Sequence, residues 1–286
     1  MQRKLRGSHF LLFGFLLLFT NPGKAQQLEF GVLVGATNYS GELSGFQIRT
    51  DMFKPAFGLV TRYNLSPRIS LKGSVFYGEI AGADSLSNNK KQKARNLSFQ
   101  SGIFEFSGQV EFNLVPYNPG VKTGKYHKVI PCLFTGIAIY KYNPKALYKG
   151  QWWELQPLGT EGQGTTQFQD RKKYALTQVA IPIGAGVKFE LSKKIGVSFE
   201  AGARFTFNDY LDDVSKTYVD TTYIRAAYGP IAAALSNRSG ETGSLTTAKP
   251  GQDRGNKANF DWYYFGGITI TFKLSTKRDL CPAIGK

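Results

Sequence analysis

Histidine, cysteine and acidic residues are scarce in this chain. Its 286 residues include two His, two Cys and 20 Asp plus Glu, against 36 Lys plus Arg. Each shortage excludes something. His9 falls in the N-terminal leader and His127 in a predicted turn, so a Ser-His or Asp-His catalytic pair in the long loops would lack its base. Cys132 and Cys281 leave room for one internal disulfide or for an external one through Cys281. No stretch beyond the leader stays apolar for about 18 residues, so no transmembrane helix is expected. The shortage of acid gives a net charge of +16, of which Arg3, Lys4, Arg6 and Lys24 carry four, leaving +12 after residue 25. A surface that basic suits lipopolysaccharide phosphates, an acidic partner or nucleic acid.

What is present begins with the leader. Arg3, Lys4 and Arg6 precede an apolar run at 10–19, and small Gly23 and Ala25 occupy positions −3 and −1 of a cleavage site after Ala25. That is the layout of a secretory signal peptide, with a run about half the ~20 residues a spanning helix needs. No Cys stands at the cleavage point, which disfavours a lipoprotein. Export sets nucleic acid aside as a partner.

Glycine and aromatics are plentiful, with 32 Gly, 22 Phe and 15 Tyr. They fall in segments of strict alternation. In 196–208, Val197, Phe199, Ala201, Ala203, Phe205 and Phe207 share one face, and Ser198, Glu200, Gly202, Arg204, Thr206 and Asn208 share the other. In 260–274, Trp262, Tyr264, Ile268, Ile270, Phe272 and Leu274 alternate with Asp261, Tyr263, Phe265, Thr269, Thr271 and Lys273. Aromatics mark both ends of that outer face, as interfacial girdles do. Eight candidate strands emerge, at 28–39, 55–64, 69–80, 97–113, 128–142, 176–191, 195–208 and 260–274, the fifth ambiguous in its inward and outward phase.

The connections at 65–68, 114–127 and 192–194 are short or modest, whereas those at 40–54, 81–96, 143–175 and 209–259 are longer. Short turns alternating with long loops mark an outer-membrane barrel. A soluble lipocalin-like barrel would instead have its apolar face inside. The expected fold is therefore all-β: a transmembrane, antiparallel outer-membrane β-barrel of eight strands with long extracellular loops. Residues 1–25 form the cleaved signal, 26–274 the barrel and 275–286 a periplasmic tail, with both termini periplasmic. The lumen receives Glu29, Arg62, Lys72, Glu105, Glu111, Lys188, Glu190, Glu200, Arg204 and Lys273, a balanced set predicted to pair as a polar plug.

Sites of chemistry are few. Asp209, Asp212 and Asp213 cluster where the seventh strand enters the longest loop. Carboxylates suit calcium, but EF-hand spacing is missing and loop anchoring is the favoured role. No metal, no cofactor and no catalytic residue is expected. The basic run 90–95 reads as a solvated loop facing lipopolysaccharide phosphate. Gly159 to Gly164 lacks the strand, helix and Lys-Ser/Thr of a nucleotide loop.

A set of strings resembles a known family. These are NYSGEL at 38–43, RNLSFQSGIFE at 95–105, EFN at 111–113, NPKA at 143–146, WELQPLGTEGQG at 153–164, DYLDDVS at 209–215 and the Cys281-Pro282 ending. Together they resemble the PorG-like outer-membrane barrels of Bacteroidetes, through nearly all of the chain beyond the leader. The resemblance implies a non-enzymatic barrel of the type IX protein secretion and gliding machinery. Its partners would be a periplasmic ring lipoprotein and that lipoprotein's soluble partner. The basic tail, with Lys277, Arg278, Cys281 and Pro282, is the expected contact. The alternative is a generic OmpA/OmpW-like barrel that binds a ligand or surface through its loops.

Overall fold

The computed structural model describes residues 28–45, 47–117, 129–192, 194–242 and 247–274. The leader at 1–25, His127 and the tail with Lys277, Arg278, Cys281 and Pro282 lie outside the described residues.

Nine strands follow one another: β1 (Leu28–Ser40), β2 (Lys54–Asn64), β3 (Ile69–Ala83), β4 (Ser98–Asn113), β5 (Val129–Tyr148), β6 (Gln151–Glu154), β7 (Thr177–Glu190), β8 (Ile195–Thr206) and β9 (Trp262–Leu274). All but β6 form the wall. Every wall strand pairs antiparallel with its neighbours, and β1 closes on β9 from Leu28↔Leu274 to Ser40↔Trp262. Closure leaves the wall no open edge, the condition a β-structure must meet to cross a bilayer. Among the described residues no helix is long and apolar enough to do so.

The alternation sets which way each side chain points. Phe30, Val32, Phe57, Leu59, Phe104, Phe106, Ile137, Ile139, Phe199 and Ile270 are 45–65% exposed around the wall. An apolar belt this large on a closed barrel is a lipid-facing surface. At one end Phe205 packs edge-on against Phe207, Phe260 and Trp262, with centroids 4.8–6.0 Å apart, as in an interfacial girdle.

Two tight turns share one sequence logic. In Leu65-Ser66-Pro67-Arg68-Ile69 the amides of Leu65 and Ser66 donate to the Ile69 carbonyl, and Ser66 Oγ accepts from Arg68 and Ile69. Leu191 and Ser192 repeat this with Ile195, and Ser192 Oγ accepts from Lys194 and Ile195. The serine hydroxyl replaces a backbone partner in each turn.

β5 resolves the ambiguous phase. Ile130, Cys132, Phe134, Ala138, Tyr140 and Tyr142 are buried inside, while Val129, Leu133, Ile137 and Ile139 face out. Both faces are apolar because Ile130, Cys132 and Phe134 enter the ion-pair layer beside Lys188, Asn113 and Glu111, while Ala138, Tyr140 and Tyr142 line an apolar layer beyond it. Above the ion pairs lies a layer of Phe76, Ile80, Ile103, Tyr140, Tyr142, Tyr263 and Phe265 that merges with the loop core. The expected plug is therefore polar below and aromatic above. Phe134 fits inside because Gly184 has no side chain: a Cβ there would fall 2.3 Å from the ring. Lys72 Nζ then sits 4.1 Å above that ring.

The long connections form a folded cap over one barrel mouth. β5 runs six residues past its expected end and turns back as β6, pairing Lys145↔Glu154 through Tyr148↔Gln151. The cap adds the short helices α1 (Lys90–Arg95), α2 (Leu155–Leu158), α3 (Thr221–Tyr228) and α4 (Pro230–Ser236). Leu43, Leu97, Leu155, Tyr174, Leu211, Val214 and Leu235 continue the lumen's apolar core upward. A second cluster of Val219, Ile224 and Ala232 packs with Leu158, Phe168 and Tyr228.

Candidate functional site

Two buried polar systems occupy the axis of the molecule. The lower one fills the bore. Arg62, on β2, reaches across it to Glu111 Oε2 at 2.6 Å, Glu29 Oε2 at 3.0 Å and Glu200 Oε1 at 3.2 Å. Lys72 bridges Glu200 at 2.8 Å and Glu111 at 3.2 Å, and Lys188 contacts Glu111 at 2.6 Å and Asn113 Oδ1 at 2.9 Å. Arg204 holds Glu105 at 3.1 Å, and the Tyr263 hydroxyl donates to the same carboxylate at 2.7 Å. Lys273 pairs with Glu190. Glu105, Glu111, Lys188, Glu200 and Arg204 are all buried. Such a bore is filled by its own side chains.

Cys132 is a buried free thiol whose side chain faces this lumen and not the lipid. Its Sγ lies beside Gly186.

The upper system locks the cap. Glu161 is fully buried and accepts from the Ser215 and Lys216 amides at 3.0 and 3.1 Å, from Arg254 at 3.1 Å and from the Tyr210 hydroxyl at 3.2 Å. Arg254 also pairs with Asp213 at 3.5 Å. Asp213 adopts a left-handed backbone (φ 67°), held by contacts from Thr160 and from the Tyr174 hydroxyl at 2.7 Å. Burial pushes its carboxyl up to about 6, against the pull of Arg254. Arg95 holds Asp84 through two hydrogen bonds of 2.8 and 2.7 Å and reaches the Glu42 carbonyl at 3.2 Å.

These contacts revise two sequence expectations. In the basic run 90–95, Lys90, Lys91 and Lys93 are exposed, but Arg95 turns inward. The aspartate trio also separates, with Asp213 joining Arg254 and Asp212 joining two acids from elsewhere.

Glu42, Asp212 and Asp261 are buried, and an oxygen of each lies within 4.8 Å of the others. The Tyr39 hydroxyl stands between two of them, 2.5 Å from Asp212 Oδ2 and 3.2 Å from Asp261 Oδ1. Backbone amides orient the carboxylates: Val214 donates to Asp212 Oδ1, Leu211 to Asp261 Oδ2 and Asn256 to Glu42 Oε1 at 2.9, 2.9 and 3.2 Å. Gly41 permits the approach, since a Cβ there would lie 1.9 Å from Asp261 Oδ1 and 2.1 Å from the tyrosine oxygen. Burial raises all three acids, and neighbouring carboxylates add to it. Glu42 is pushed up to about 7, with Asp209 contributing, and Asp212 and Asp261 stand well above the ordinary range. Asp209, raised to about 8 chiefly by burial, lies beside them.

Glu42 and Asp261 were each readable as inward or motif residues, but no local spacing joins 42, 212 and 261. The one available signal was position, since each acid lies at a loop end next to an aromatic wall strand.

A closed eight-strand wall, apolar outside and ion-paired inside, defines an outer-membrane β-barrel. Within that class the chain belongs to the family described as DUF6089, a domain of unknown function, whose model matches residues 8–234. Among curated proteins none matches the sequence. Solved structures similar to it include Ail, the attachment invasion locus protein of Yersinia pestis, in complex with the heparin analogue sucrose octasulfate. That protein is 8% identical with a TM-score of 0.41, covering 88% of this chain and 100% of that one. Neisserial surface protein A is 6% identical with a TM-score of 0.40, covering 86% and 97%. The outer membrane protein OprG of Pseudomonas aeruginosa is 9% identical with a TM-score of 0.35, covering 88% and 98%.

Proposed function

We propose that this barrel is a closed, non-enzymatic scaffold whose working surface is its cap, displayed outside the cell to bind an anionic ligand or surface. The observation that carries this reading is the convergence of all four long connections into one packed unit above a filled bore. A bore sealed by ion pairs favours display over transport. A cap with its own core presents its outer groups without an ordering cost at binding. Lys90, Lys91, Lys93, Lys149, Lys172 and Lys249 are exposed on it, a field suited to phosphate or sulfate groups. Lipopolysaccharide is the nearest such partner. The test is binding of the folded protein to lipopolysaccharide-bearing vesicles over a salt series. Replacing Lys90, Lys91 and Lys93 by Gln should weaken binding and flatten its salt dependence, and equal binding by parent and variant would count against the reading.

A second reading follows from the family resemblance: a type IX secretion component that docks the periplasmic ring lipoprotein and its soluble partner. Four of the strings behind the resemblance supply Glu42, Arg95, Glu161 and Asp209 to Ser215, which meet in the cap interior. They therefore specify how the cap folds, and partner contact passes to the tail with Lys277, Arg278, Cys281 and Pro282. Deleting 275–286 distinguishes the two: it should abolish crosslinking to ring lipoproteins under the second reading and leave vesicle binding unchanged under the first.

A further inference from the structure

Eleven acidic residues are buried among the described residues. Seven of them, Glu29, Asp84, Glu105, Glu111, Glu161, Glu200 and Asp213, have an Arg or Lys within 3.5 Å. The four that have none are Glu42, Asp209, Asp212 and Asp261, and all four lie together in the cap. A molecule that matches every other buried carboxylate with a cation has left one group unmatched. Burying unpaired carboxylates is expensive, so such a group either holds protons or takes a cation from solution.

We propose that Glu42, Asp212 and Asp261, with Asp209 beside them, form a binding site for a hard divalent cation of the calcium class. Three oxygens within 4.8 Å of one another match the reach of one ion whose oxygen ligands sit at about 2.3–2.6 Å. A second observation points the same way. Glu42 is 5% exposed, and its Oε2 has no hydrogen-bond partner although its carboxylate faces Asp212 and Asp261. Asp209 is 7% exposed, and neither of its carboxylate oxygens is hydrogen-bonded. Oxygens buried without donors are open ligand positions. The donor set is all oxygen, with no sulfur or imidazole, which selects a hard cation over zinc or copper. Backbone amides fix Asp212 and Asp261, so those ligands are held in place before the ion arrives. The Arg95 guanidinium, which reaches the Glu42 carbonyl, is committed to Asp84.

The ligands come from three places in the chain: Glu42 just after β1, Asp209 and Asp212 beyond β8, and Asp261 just before β9. One ion would therefore tie the first long loop to both ends of the last. This inference is independent of what the cap or the tail binds.

Terbium(III), a calcium substitute excited through nearby tyrosine, is the probe. Tyr39, whose hydroxyl touches Asp212 and Asp261, is placed to transfer energy to it. Titrating the full mature chain, folded in detergent micelles, should give saturable luminescence at one ion per chain that Ca2+ displaces. Asp212→Asn with Asp261→Asn should raise the apparent Kd at least tenfold, and exposed Glu154→Gln should not change it. If the double variant does not fold, Glu42→Gln gives the same reading from the edge of the site. A folded parent without saturable luminescence would overturn the proposal and assign protons to the cluster. So would a signal that persists in the cluster variants and falls in Glu154→Gln.

Discussion

Arg62 shows how a single side chain organises the bore. Fully buried, it serves three carboxylates from three other strands, Glu29 on β1, Glu111 on β4 and Glu200 on β8. Removing it leaves buried Glu29 without a cation and Glu111 and Glu200 to Lys72 and Lys188 alone. Arg62→Leu is expected to cost about 3–5 kcal/mol, the usual penalty for breaking a buried pair from one side, measured by urea unfolding in lipid vesicles. Arg62→Lys should recover only part of that, because an ammonium lacks the planar fork that meets two carboxylates at once. Glu161 has the same standing in the cap, with four donors on one carboxylate. Glu161→Gln weakens the pairing with Arg254 and should loosen the cap while the wall stays folded. Hydrogen exchange should accelerate in 207–261 and stay slow in β1 and β9.

At the scale of the element, two faces of one strand obey different rules. β4 carries Glu105, Ser107, Gln109 and Glu111 inward and Phe104, Phe106, Val110 and Phe112 outward. Phe106→Arg would place a charge in the lipid belt and should cost about 2–4 kcal/mol near the midplane, read by the same unfolding experiment. The β5–β6 hairpin behaves differently. Its residues pair with each other beyond the point where β5 leaves the wall, so replacing 146–153 with a short Gly-Ser turn should leave barrel folding and heat-modifiable electrophoretic mobility intact. Eight wall strands were legible to within a few residues because alternation continues for as long as one face meets lipid and the other the lumen. The hairpin was not, because that constraint ends above the membrane. The phase of β5 was unreadable for a related reason. Its outward residues are apolar toward lipid, and its inward ones are apolar too, Ile130, Cys132 and Phe134 beside the ion pairs and Ala138, Tyr140 and Tyr142 in the aromatic layer.

For the whole molecule, the bore is closed twice, by ion pairs below and by the cap above. The purified protein should show no unitary conductance in planar bilayers. Replacing the cap loops with short linkers should still give none, because the Arg62, Lys72 and Lys188 network remains. Steady channel openings in the shortened protein would show that the cap alone seals the bore.

By itself, the sequence determined the wall, its alternation and the balance of lumen charges, since each depends on neighbours one or two residues apart or on simple counts. Glu111 and Arg204 were recognisable as inward charges before their partners were known. Only the tertiary structure decided the pairing and the cap. Arg95 turned inward, Asp213 parted from Asp212, and Glu42 met Asp261 across 219 positions of chain. Contacts of that kind leave no local period. They arise when four loops of irregular sequence must bury their own apolar residues and bring their carboxylates along, and that packing is decided in space.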